Sequence, residues 1–64
     1  MLIIIALGQV EHHAFTLGPG RIIYKHNVPQ LQIFAVGLVT ERQADQYADR
    51  IVYLLNESYV PPTP

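Results

Sequence analysis

The sequence has no cysteine and no tryptophan, and only 14% of its 64 residues are charged. Without cysteine there is no disulfide framework and no thiol nucleophile, and the chain fits a reducing compartment, so the cytoplasm is the expected location. Basic residues are few and scattered. Arg21, Lys25, Arg42 and Arg50 form no run and the net charge is −1, which leaves no basic stripe for phosphate and argues against a nucleic-acid partner. Long apolar runs are missing too. Met1 to Leu7 is apolar but far short of the ~20 residues of a membrane span. It has no basic segment before it and no small-residue cleavage site after it, so neither a membrane partner nor a secretory signal is expected. There is no glycine-serine elbow, no carboxylate pair outside the predicted helix, and no base for Ser58. No catalytic residue is assigned, and an enzyme is not expected.

Half of the residues are apolar, which excludes a disordered chain and points to one small domain with a core. Its size makes that core thin. A chain of about 60 residues buries only about 60% of the surface it exposes when unfolded. The gain from burial then nearly cancels the entropy of ordering, so a second copy or a partner is expected to contribute stability.

Leu2 to Leu7 reads as a strand buried on both faces, because it is short, continuous and β-branched. Gly8 ends it. Val10 to Leu17 reads as a loop or a ragged strand, since Glu11, His12 and His13 interrupt the apolar signal. Gly18-Pro19-Gly20 is a turn, which would fold His13 to Leu17 back beside a strand at Arg21 to Lys25. Asn27 and Pro29 mark a second turn. Gln30 to Val36 begins with Leu31 and Ile33 on one face and Gln30 and Gln32 on the other. It then becomes wholly apolar, as a strand entering the centre of the fold does.

Thr40-Glu41-Arg42-Gln43 matches a capping box, so a helix should start at Glu41. Ala44, Tyr47, Ala48, Ile51, Val52, Leu55 and Tyr59 recur at spacings of three and four and form its apolar stripe. Three prolines in Val60 to Pro64 exclude continuing the helix. The fold class is therefore α+β: three to four strands in a small antiparallel or mixed sheet, with one C-terminal amphipathic helix on one face. Residues 1–59 form the domain and 60–64 a proline-rich tail. One helix covers only one side of such a sheet, so the other face and any free edge would meet solvent or another molecule. Self-association through the sheet follows as an expectation.

The helix carries the most unusual pattern. Glu41, Asp45 and Asp49 recur every four residues, and Tyr53 and Glu57 extend the line. Like charges at this spacing disfavour a helix by about 0.2–0.5 kcal/mol per pair, and on the helix itself only Arg42 sits where it can offset them. The helix dipole rewards acids in the first turn but neither Asp49 nor Glu57. Glu41, Asp45, Asp49, Tyr53 and Glu57 therefore read as a docking line for a protein partner with a basic surface, Tyr53 being its aromatic anchor. A second candidate is the Gly18, Gly20, Arg21 turn, whose amides and guanidinium suit a small anion, with His13 or His26 nearby at a subunit interface. Glu11, His12, His13 and His26 have poor ligand spacing, since adjacent strand residues face opposite ways. No metal site and no cofactor are assigned.

These readings lead to a small non-enzymatic interaction protein, of the accessory or inhibitor kind that phages and plasmids carry. It is expected to self-associate through its sheet and to offer an acidic helix face to a partner. The alternative is an oligomeric binder of a small anionic metabolite, or a small enzyme, with its site between subunits.

Overall fold

The computed structural model describes residues 1–10 and 14–58. Four strands and one helix follow in chain order: β1 (Leu2–Ala6), β2 (Thr16–Gly18), β3 (Ile22–Lys25), β4 (Val28–Ala35) and α1 (Glu41–Glu57), with a short 3-10 turn at Pro19–Arg21 joining β2 to β3. The strands form one antiparallel sheet in the order β1-β4-β3-β2. The fold is thus α+β, and the strand whose pattern turns wholly apolar, β4, lies in the interior of the sheet.

Pairing sorts the side chains onto two faces, because residues directly opposite in a ladder share a face. Leu2 stands opposite Ala35, Ile4 opposite Ile33 and Ala6 opposite Leu31. Ile23 stands opposite both Leu31 and Leu17. This face receives the helix. Phe15, Ile23, Ile33 and Ala48 form the buried cluster, and Leu2, Leu31, Ile51, Val52 and Leu55 pack around it. Ala44 and Ala48 have no accessible surface, and their small side chains let α1 lie close on the sheet. Tyr47, which the periodicity places in the apolar stripe, is instead 40% exposed, because the two alanines make the contact beside it. Tyr59, the tail 60–64 and residues 11–13 lie outside the described residues.

Three features of the strands depart from the sequence reading. Leu2 to Leu7 was expected to be buried on both faces, yet Ile3, Ile4 and Ile5 are 40%, 44% and 46% exposed. The reason is topological: β1 pairs only with β4, and α1 packs on β4 and β2 instead of over β1. The central strand begins at Val28, not Gln30, so Pro29 lies inside it. It is tolerated at a bulge. Ile23 faces Leu31 and Tyr24 faces Pro29, which leaves Gln30 as the extra residue where the register shifts. The β3–β4 link is then only His26-Asn27, both at positive φ, 51° and 63°, as a two-residue hairpin turn of the primed type requires. Finally, among the described residues of Val10 to Leu17 only Thr16 and Leu17 are paired, opposite Tyr24 and Ile23.

The helix starts as its sequence dictates. Thr40 Oγ1 accepts from the Gln43 amide at 3.1 Å, and Gln43 Oε1 accepts from the Thr40 amide at 2.9 Å, closing the capping box. At the other end Asn56 reaches across to the segment before β2. Its Oδ1 accepts from Phe15 N at 2.6 Å and its Nδ2 donates to Phe15 O at 3.1 Å. One side-chain amide thereby replaces a strand neighbour for the residue that anchors the core.

Candidate functional site

Two surfaces carry features that the core does not explain. The first lies at the end of the sheet where the β2–β3 turn meets the start of α1. Pro19 opens the turn and Gly20 takes φ 70°. Arg21 follows at φ 54°, a left-handed conformation that costs a residue with a Cβ about 1–2 kcal/mol. This backbone aims the Arg21 side chain at the helix. Its Nε pairs with Asp45 Oδ1 at 2.8 Å, its Nη2 pairs with Glu41 Oε2, and its Nη1 approaches the Ile33 carbonyl at 3.5 Å. The guanidinium side chain is 18% exposed while the two carboxylates remain 77% and 64% exposed. The arginine is therefore drawn out of water and the acids are not.

The Gly18 to Arg21 turn and the first three acids of the helix line, read separately from the sequence, are thus one cluster. Gly18, Gly20, Arg21, Phe34, Asp45 and Asp49 line an open cleft of about 560 Å³. Gln32 Nε2 fixes its floor by donating to Gly20 O at 3.3 Å. Glu41 also borders it, so three carboxylates face one guanidinium. An anion entering here would meet an arginine whose Nε and Nη2 already hold carboxylates, whereas a cationic group would find an excess of negative charge. Arg42 was the only offset to the helix acids that local spacing could offer. The offset for Glu41 and Asp45 comes from Arg21, twenty or more residues earlier in the chain.

Further along α1, the Asp49 carboxylate has no hydrogen-bond or ion-pair partner among the described residues. Tyr53 Oη donates to Glu57 Oε1 at 2.8 Å, and the Arg50 guanidinium lies 5.9 Å from the Tyr53 ring centroid. His13 lies outside the described residues. His26 sits in the β3–β4 turn, at the opposite end of β3 from Arg21, roughly 17 Å away at the rise of an extended strand. The structure therefore does not bring His26 to the Arg21 turn. Among the described residues no three of His, Cys, Asp or Glu converge as metal ligands, and no helix is long and apolar enough to cross a membrane.

The second surface is the sheet side away from α1. Ile3 faces Phe34 there, and Ile5, Gln32, Ile22 and Gly18 form the adjoining row. No described element covers it. Ile3, Ile5 and Phe34 are 40%, 46% and 37% exposed, and Met1 and Leu7, at the two ends of β1, are 72% and 44% exposed. Residues 1–10 contain no charged side chain. The outer edge of β1 consequently has none of the lysines, prolines or inward charges that keep free edges from pairing.

Sequence reasoning missed Asn56 and the Arg21 clasp. Asn56 sits near a helix end, where an asparagine usually marks termination, and nothing local links it to Phe15. A comparison with known proteins finds no matching family model, no matching curated protein and no matching solved structure.

Proposed function

We propose that this chain is a small non-enzymatic interaction protein, acting in the cytoplasm as an accessory or inhibitor, that self-associates through its sheet and leaves α1 free for a partner with a basic surface. The observation that carries the reading is the second surface: an unpaired, uncharged edge strand continuous with an apolar sheet face that no described element covers. Monomers of this size rarely leave such a patch in water. The core supports the same reading, since among the described residues only five apolar ones are buried and a second copy would add what they lack.

On the helix, Asp49, Tyr53 and Glu57 are the part of the acidic line that Arg21 does not engage, and the cleft beside them has an excess of carboxylates. A lysine or arginine side chain of a partner suits it, with Tyr53 supplying apolar contact.

Molar mass by sedimentation across a wide concentration range tests the first half. A dimer or larger species is expected, and a monomer at the highest concentration removes self-association. An arginine-rich peptide followed by amide shifts tests the second. Shifts at Asp49 and Tyr53 are expected, lost in Asp49→Lys and at high salt; a peptide that moves no α1 resonance removes the docking role.

A further inference from the structure

We infer that the second copy joins edge to edge, β1 pairing antiparallel with β1 of its twin about a two-fold axis at Ile4. This rests on the self-association reading and specifies its geometry. The argument begins with the direction of the main-chain groups. Met1 N donates to Val36 O, Val36 N donates to Met1 O, and Leu7 N donates to Gln30 O. Main-chain groups alternate sides along a strand, so Met1, Ile3, Ile5 and Leu7 spend theirs on β4. Those of Leu2, Ile4 and Ala6 point out along the free edge.

A symmetric pair placed about Ile4 sets Ile4 opposite Ile4 of the second copy and Leu2 opposite its Ala6. All three outward residues of each copy then exchange both bonds, six in total. Axes through Ile3 or Ile5 leave one outward residue of each copy unpaired and allow only four. The run Leu2-Ile3-Ile4-Ile5-Ala6 is also nearly the same read in either direction, which an isologous contact needs. On the open face the axis places Ile3 beside Ile5 of the second copy, with Phe34 of each chain next in line. On the helix face α1 packs chiefly on β4 and β2, inward of the β1 edge. The opposite edge of the sheet offers no comparable template, because β2 has three residues and runs into Pro19.

Charge agrees with a second copy as the occupant. No charged side chain in residues 1–10 opposes its equal across the axis. Edge pairing covers the outward parts of Ile3, Ile4 and Ile5, which are 40%, 44% and 46% exposed in the single chain. Such a contact is smaller than the about 1,200 Å² at the lower edge of specific interfaces, so its main-chain bonds have to supply most of its stability. A weak dimer, populated at high protein concentration, is expected.

The absence of cysteine makes the test clean. Ile3→Cys protein, isotope-labelled to distinguish its mass, is mixed with Ile5→Cys protein and allowed to oxidise. The Ile3–Ile5 pair is of the closely spaced kind, while like positions are diagonal. Nearly all linked product should therefore be the mixed species, against half from unguided collision. A dimer by sedimentation whose linked product is statistical, or joins like variants, overturns the edge pairing and leaves self-association standing; a monomer at all concentrations overturns both. Amide exchange in the unsubstituted protein gives a second reading. Leu2, Ile4 and Ala6 should exchange more slowly as concentration rises, and unchanged exchange in a sample that sediments as a dimer also overturns the pairing.

Discussion

Replacing Asn56 by alanine removes a side chain that touches no ligand surface, yet its effect on stability should be large for an exposed residue. Asn56 supplies both hydrogen bonds of the Phe15 backbone described above, 2.6 and 3.1 Å long, and Phe15 itself is 3% exposed. An ordinary hydrogen bond contributes about 0.5–1.5 kcal/mol net, and a buried group left unpaired costs about 1–3 kcal/mol. Water can reach this helix end, which favours the lower figures, so the two bonds together should account for about 2 kcal/mol. For a domain of this size each kcal/mol moves the midpoint by about 4–8 °C, so Asn56→Ala should melt about 8–16 °C lower. Urea unfolding at one fixed protein concentration is the appropriate assay, because self-association would otherwise enter the comparison. Ser58→Ala is the control: Ser58 Oγ donates to Leu54 O at an exposed site, and its loss should stay within about 0.5 kcal/mol. If Asn56→Ala is as mild as that control, the amide clasp carries no stability and Phe15 is held by apolar packing alone.

Other outcomes follow from the same geometry. At Arg21 the φ of 54° favours glycine, so Arg21→Gly should be more stable than Arg21→Ala by about 1 kcal/mol although both lose the carboxylate pairs; equal urea midpoints would mean the backbone strain is absent. Since Glu41 and Asp45 are largely exposed, each Arg21 pair is worth about 0.2–1 kcal/mol and should weaken in salt, which a double-mutant cycle of Arg21→Gly with Asp45→Asn at two ionic strengths would detect. Thr40→Ala should cost about 1 kcal/mol by opening the capping box, with the first-turn amides of α1 exchanging faster than those at its centre. Ile33 has no accessible surface, and Ile33→Ala should cost about 2–5 kcal/mol, enough to leave the chain largely unfolded by circular dichroism at room temperature.

The functional reading depends on two asymmetries of this small fold. Four strands share one helix, so one apolar face is left over, and the sheet order puts the most apolar strand at an edge instead of in the middle. Pairing of β1 with a second copy would answer the second and would join the two open faces into one wider apolar surface. The charged end of the molecule is built differently: a strained turn brings Arg21 to the first two turns of α1, settling Glu41 and Asp45 and leaving Asp49 and the Tyr53–Glu57 pair to face outward.

Local chemistry was enough for some of this. The capping box, the alanine-centred stripe of α1, the glycine-proline turn and the change from alternation to continuous apolar character in β4 are all set by neighbours within a few residues. So is the shortage of helical cover, which follows from counting elements. Other features depend on which segments meet. Continuous apolar character in Leu2 to Leu7 looks the same whether the strand is buried centrally or waits at an edge, and only the pairing order decides. Pro29 looks like a turn until the bulge at Gln30 gives it a place in the ladder. The Arg21 contacts with Glu41 and Asp45, and the Asn56 contacts with Phe15, span 20 to 41 positions. Sequence alone determined which residues could form helix, turn and apolar strand, because those preferences act over a few bonds. Tertiary structure decided which carboxylates are neutralised and which apolar surface remains bare, because both depend on distances between groups that the chain itself keeps apart.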